Sequence, residues 1–262
     1  MNYIVFDLEF NQGYNFTKET KETKSAIDPK CPFEIIQIGA IKLNDHFETI
    51  GTLDVIVKPE IYTTLNPFVR ELTGITMEEL NKGISFEKMY EDFSNFIKSD
   101  RSVLCVWGIA DIKELFRNIE FYELEPLQSP TEYIDIQSYA STALDCKKGI
   151  NIGLGNAAKL LSVPIGSQFH DAFNDAFYTT EVFKKIYNKE IKPNIYIPKV
   201  KGLNRLSAQN YKIDLPSLTD QFEKMFKREM SIDEKSIIKL AYIMGKTNQF
   251  QIKIDPEIKQ KK

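Results

Sequence analysis

Apolar residues run almost unbroken through Tyr3-Ile-Val-Phe-Asp-Leu-Glu-Phe10, which predicts a buried first strand ending near Phe10. Residues 11–32 turn polar, with the stretch Lys18-Glu-Thr-Lys-Glu-Thr-Lys24, and predict a long loop. Glu34-Ile-Ile-Gln-Ile-Gly-Ala-Ile-Lys-Leu43 predicts a second strand, Asn44-Asp45 a turn, and Phe47 to Val57 a third strand. The short connections imply an antiparallel meander. Ser85 then offers an N-cap, and Phe86, Met89, Tyr90, Phe93, Phe96 and Ile97 recur at helical spacing. A buried strand follows at Ser102–Trp107, a helix from Asp111 to about Phe121, and a fifth strand at Tyr133–Ile136. Helices over 153–162 and 172–189 are separated by a loop around Pro164 and Gly166.

This order predicts an α/β fold with a mixed five-stranded sheet flanked by helices. Pro193 and Pro198 mark a linker, followed by helices over 217–229 and 232–245, the second opened by the capping box Ser231-Ile-Asp-Glu234. The expected organisation is a domain over 1–192, then a linker and small helical C-terminal extension over 193–262.

Composition changes this picture little. With 262 residues, 42% hydrophobic, 18 Phe and 12 Tyr, the chain can bury a substantial core, which excludes a disordered chain. Net charge is −3, but it is unevenly placed. From Tyr196 onward there are 14 Lys and Arg against 8 Asp and Glu, leaving 20 against 29 in the body. A basic tail suits either a polyanion contact or a solvated surface. Cys31, Cys105 and Cys146 lack metal or redox spacing, and Cys105 reads as a core residue. A reducing cytoplasm is therefore expected, without a signal peptide or membrane span.

Candidate chemistry begins at Asp7 and Glu9. Two residues apart on a strand, both project to one face. Two anions on a buried face are costly unless a cation lies between them, and a divalent ion with oxygen ligands is the simplest one. Asp111 follows Trp107-Gly-Ile-Ala110 just past a strand, where it can either face a ligand or cap a helix. His170 and Asp175 sit at the start of a helix in Phe169-His-Asp-Ala-Phe-Asn-Asp-Ala176. Singly, they read equally as a loop histidine and a surface acid, and His46 reads as plain surface. Together, four carboxylates and a histidine at strand ends and helix starts can hold two divalent ions roughly 3.5–4 Å apart. Hard oxygen ligands favour Mg²⁺ or Mn²⁺, and such a site suits phosphodiester hydrolysis with His170 taking the proton of water.

These motifs resemble the DEDDh-type 3′–5′ exonucleases on the ribonuclease H-like fold. Phe6-Asp-Leu-Glu9 is similar to the first exonuclease motif, Trp107-Gly-Ile-Ala-Asp111 to the second, and His170-Asp-Ala172 with Asp175-Ala176 to the third, in its histidine form. The resemblance spans about residues 1–190. The Trp-Gly element and Leu72-Thr-Gly-Ile75 look most like the branch of Eri-type small-RNA and histone-mRNA exonucleases and KapD-like sporulation inhibitors. One departure is Asn174, where the family often carries a second acid beside the last Asp.

The resemblance implies Asp7, Glu9, Asp111 and Asp175 as metal ligands and His170 as general base. Phe10, Leu72, Thr73, Gly74 and Ile75 would line a pocket for the 3′-terminal nucleotide, with core packing the alternative for Leu72 and Ile75. It further implies two divalent cations and single-stranded RNA or DNA 3′ ends as partners; separately, the C-terminal helices offer a surface for a protein partner. A binding or regulatory protein on the same fold, and a polymerase-associated proofreading subunit, are the other readings. A pure binder would not need all five groups.

Overall fold

The computed structural model describes residues 1–13, 27–99, 101–125, 127, 132–147, 149–197 and 215–246. The chain divides into two compact units, Met1–Pro198 and Lys199–Lys262. The expected loop over 11–32 falls largely outside the described residues, as does the end of the basic tail.

The first unit is built on a sheet of β1 (Asn2–Asn11), β2 (Glu34–Leu43), β3 (Thr49–Ile56), β4 (Ser102–Val106), β5 (Glu132–Asp135) and β6 (Asn194–Ile195). Their order is β3-β2-β1-β4-β5-β6. The first three strands form the expected antiparallel meander, while β4 and β5 run parallel to β1 and β6 returns antiparallel. Among the described residues the sheet thus has six strands where five were expected. A two-residue strand shows no period in sequence, and only its pairing to Glu132 and Tyr133 defines it.

Alternation along β1 sorts its two faces. Ile4, Phe6 and Leu8 join a core with α3 (Phe86–Ile97) and α4 (Ala110–Phe121). Tyr3 and Val5 join the opposite core beneath α5 (Ile136–Ala143), α6 (Leu154–Leu160) and α7 (Ala172–Ile186). Asp7 and Glu9 share the parity of Tyr3 and Val5, so they project toward the face covered by α7. Beside the Glu9–Asn11 end of β1, α1 (Pro67–Thr73) and α2 (Met77–Lys82) pack on Ile36 of β2, with Val69 and Leu80 from the helices and Leu65 and Ile75 from their flanks.

The periodicity expected of α3 is present, with Phe86, Met89, Phe93 and Ile97 buried and the Ser85 side chain accepting the Lys88 N–H. Helices α1, α2 and α5 were not expected. Each has eight residues or fewer, too few for two apolar turns, although Asn66-Pro67 and the Thr76–Glu79 capping box are start signals that could have been read. In the second unit, α8 (Leu215–Phe226) and α9 (Ile232–Lys246) match the expected helices. The capping box forms, with the Ser231 N–H on Glu234 and the Glu234 N–H on Ser231 Oγ. Among the described residues no helix is long and apolar enough to cross a membrane.

Candidate active site

Three local devices bring the candidate residues together. The first is strand divergence. β1 pairs with β4 only over Asn2–Val5, opposite Ser102–Cys105. Asp7 and Glu9 therefore lie beyond the carboxyl end of β4, in the crevice where parallel strands leave room for a ligand. The second is the turn after β4. Gly108 adopts φ +88°, in the left-handed region that suits glycine. The Asp135 carboxylate accepts the Gly108, Gln137 and Ser138 amides, pinning this turn. Asp111 then lands, buried, in the first turn of α4. It is not the cap, since that position is Ile109, which makes no side-chain capping bond.

The third device is close contact between β2 and α7. Gly39 pairs with Asp7 across the strands. A Cβ on Gly39 would lie 2.2 Å from Phe173 N and 2.3 Å from the Ala172 carbonyl. Only a bare backbone lets the first turn of α7 settle here. Gln37, opposite Glu9, secures the same turn: its amide donates to Asp54 Oδ1 and Asp171 Oδ2, both at 3.0 Å, while its oxygen accepts the Ala172 N–H at 3.2 Å. Asp171 caps α7 by accepting the Asn174 N–H. Asp175 follows in the first turn, and its Oδ2 accepts the His170 N–H at 3.1 Å. His170 itself takes φ +66°, an uncommon conformation for a non-glycine residue.

The assembled site is dominated by negative charge. Burial first, then Asp111, Glu9, Asp175 and Asp171, push the Asp7 carboxyl well above its ordinary range. Asp111 is raised by burial and by Glu9, Glu114 and Asp175. Glu9 is pushed up to about 8 by burial and by Asp175 and Asp171. Burial also raises Asp175, partly offset by the His170 amide and ring. All four expected acids thus feel one another. Asp7 and Glu9 nevertheless keep partial exposure, so a small cation has access.

These residues suit a divalent metal. One ligand atom each from Glu9, His170 and Asp175 lies within 4.8 Å of the others. Asp175 Oδ1 is buried and lacks a hydrogen-bond partner, as an oxygen reserved for an ion would be. His170 is solvent-exposed, at the mouth of the cluster.

The expected pocket residues have varied surroundings. Ile75 is buried in the small core under α1. Thr73 is buried, and its hydroxyl donates to Val69 O at 2.9 Å. Gly74 closes α1 at φ +75°. Leu72 and Phe10 stay half-exposed, Phe10 with its ring edge-on to Phe33. Sequence reasoning passed over Gln37, Gly39 and Asp171, although a glycine inside an apolar strand and an Asp before a helix are readable signals.

A family profile described as exonuclease matches residues 4–183. The chain belongs to the exonuclease family. The acidic cluster lies inside the matched region. Among curated proteins the chain is 28% identical over 240 residues to a PolC-type DNA polymerase III of Mycoplasmopsis pulmonis. That match covers 89% of this chain but 14% of the relative. Among solved structures it is similar to the nuclease domain of 3′hExo, a DEDDh family member, bound to rAMP, with TM-score 0.61 and 19% identity over 75% of this chain and 97% of that one. The zinc-bound E. coli ExoI–ssDNA complex superposes with TM-score 0.54 and 17% identity, over 71% of this chain and 40% of that one. Both likenesses establish the ribonuclease H-like exonuclease fold.

Proposed function

We propose that this exonuclease-family chain removes nucleoside 5′-monophosphates from the 3′ end of single-stranded RNA or DNA. The supporting observation is the convergence of Asp7, Glu9, Asp111 and Asp175 with His170 at the carboxyl end of β1. In this reading the four carboxylates hold two divalent cations, Mg²⁺ or Mn²⁺. Bound there, the ions supply Lewis acidity toward the scissile phosphate and its attacking water. His170 accepts the proton of that water on a ring nitrogen. Asp175 orients it by holding its backbone N–H. Phe10 and Leu72, both half-exposed, contact the terminal nucleotide, with Thr73, Gly74 and Ile75 shaping the turn beneath.

The Trp107-Gly108 and Leu72–Ile75 elements favour the Eri-type and KapD-like branch. The PolC-type match favours a second reading, a proofreading role beside a polymerase, with the same chemistry and a different partner. Residues 1–192 would carry catalysis. The helical extension over 193–262 would contact substrate backbone through its basic residues, or a protein partner. The three free cysteines accord with a reducing, cytoplasmic setting.

The test is digestion of 3′- and 5′-labelled single-stranded RNA and DNA with Mn²⁺ by wild type, Asp7→Ala and His170→Ala. Label is expected to leave the 3′ end first, and both variants to lose at least about 100-fold in rate. His170→Ala should retain the Mn²⁺-dependent gain in Tm that Asp7→Ala loses. Release from the 5′ end first, or an active Asp7→Ala, refutes the reading.

A further inference from the structure

Residues 58–66, between β3 and α1, form neither helix nor strand, so their amides and carbonyls need partners from elsewhere. The Lys58 N–H donates to Ile84 O, and two buried side chains supply partners for Glu60, Ile61, Tyr62, Thr64 and Asn66. Glu34, 2% exposed, accepts the N–H groups of Glu60, Ile61 and Tyr62, the last two at 2.8 Å. Asn11, 0% exposed, donates to Tyr62 O at 2.9 Å and Thr64 O at 3.0 Å, and accepts the Asn66 N–H at 3.0 Å. Asn11 and Glu34 face each other across β1 and β2. Asn66 in turn caps α1 through the Phe68 N–H, and α1 ends at the half-exposed Leu72 and the Gly74 turn.

Asn11 lies two residues beyond Glu9 on the same strand. One continuous path therefore runs from the acidic cluster, across the bulge between Glu9 and Phe10, through Asn11 and Asn66 to Leu72. We propose that Asn11 and Glu34 form a clamp of positioning residues that sets the Leu72–Ile75 element at a fixed distance from the acidic cluster, so that a 3′-terminal nucleotide is held in reach of it. This rests on the reading of Leu72 as a nucleotide contact. Neither clamp residue touches substrate: each is buried, and each bonds to backbone groups. The clamp therefore governs nucleotide affinity rather than metal affinity or the chemical step.

The experiment uses the full chain, with AMP in the presence of Mn²⁺ as probe of the pocket by titration calorimetry, and 3′-labelled oligonucleotide for kinetics. Asn11→Ala is expected to raise the AMP Kd and the oligonucleotide KM about 10-fold, with kcat within about 2-fold and an unchanged Mn²⁺-dependent Tm gain. Glu34→Gln keeps one acceptor oxygen and the side-chain shape, so it should show a smaller effect of the same kind and serves if Asn11→Ala folds poorly. Leu72→Ala should weaken AMP, and the Asn11→Ala/Leu72→Ala double variant should be no weaker than the worse single, since both act on one element. Ser141→Ala removes a comparable buried polar bridge, to Gln137 O and the Ile152 N–H, and should lower Tm without moving the AMP Kd. The clamp is overturned if Asn11→Ala moves AMP binding no more than Ser141→Ala, if it lowers kcat at constant KM, or if the double variant is additive. Failure of wild type to bind AMP overturns it too, whether or not the chain degrades nucleic acid. The direction of digestion tests the wider functional reading separately.

Discussion

At Gly39 the backbone of β2 and the first turn of α7 touch, and this contact sets where Asp175 stands relative to Asp7. Gly39→Ala introduces a methyl group with a backbone neighbour 2.2 Å away. Backbone cannot rotate aside as a side chain can, so α7 must shift. Overpacking of this kind costs about 1–3 kcal/mol, and misplacement of a catalytic group by about 1 Å costs about 100-fold in rate. The variant should thus lose far more activity than stability, measured by kcat beside a urea denaturation midpoint. Near-normal turnover would show that α7 is not held by this contact. Gln37 acts on the same turn, and its amide satisfies two carboxylates and one amide at once. No other side chain of similar size offers two donors and one acceptor in that arrangement.

Among the elements, α3 and α7 show opposite relations between pattern and role. α3 is an amphipathic helix whose apolar stripe covers the sheet face opposite the acids. Phe93 is fully buried with its ring 5.5 Å from that of Phe6. Phe93→Ala should cost about 3–5 kcal/mol, and calorimetric Mn²⁺ affinity of the folded variant should stay within about 2-fold of wild type. A selective loss of Mn²⁺ affinity would mean this face communicates with the site. α7 carries polar residues at buried positions, Asp175, Thr179 and Thr180 among them. Its start was readable from Asp171, but its burial was not, because an ordinary amphipathic helix would leave such residues in water. The short α1 and α2 were missed for lack of length, and with them went the reason Asn11 and Glu34 are polar.

For the whole molecule, the acidic cluster makes stability depend on pH and on metal. Asp7, Glu9, Asp111 and Asp175 all titrate higher in the folded protein than in an unfolded chain. Between the ordinary carboxylate range near pH 4 and the folded values, up to about 8 for Glu9, the folded state holds more protons than the unfolded one. Stability therefore falls as pH rises through this window. In EDTA, Tm should be higher at pH 5 than at pH 8. Mn²⁺ binds the deprotonated cluster, so at a fixed concentration its gain in Tm should be larger at pH 8; at 100 times Kd the stabilisation is about 2.7 kcal/mol. Equal gains at both pH values would mean that Mn²⁺ binds away from these acids. Charge at the other end of the chain makes a separate prediction. Neutralising Lys224, Lys227 and Lys235 should weaken oligonucleotide binding at low salt and flatten its salt dependence. A binding curve that does not change would assign these lysines to solvent.

The sequence by itself determined the alternation of β1, the meander that follows it, the long helices and the identity of the five polar groups. Each of these is local: a period of two or of three to four residues, a cap, or an acid in an apolar run can be seen within a dozen residues. Tertiary structure decided which face the acids share, that Asp111 lies inside α4 rather than capping it, and that Asp171 stands beside the four acids. It also decided that Asn11, Glu34, Gln37 and Gly39 hold the parts in place. Their contacts link residues from 17 to 135 positions apart in the chain. Such pairings leave no period in the sequence, because they depend on where strands diverge and where two backbones meet.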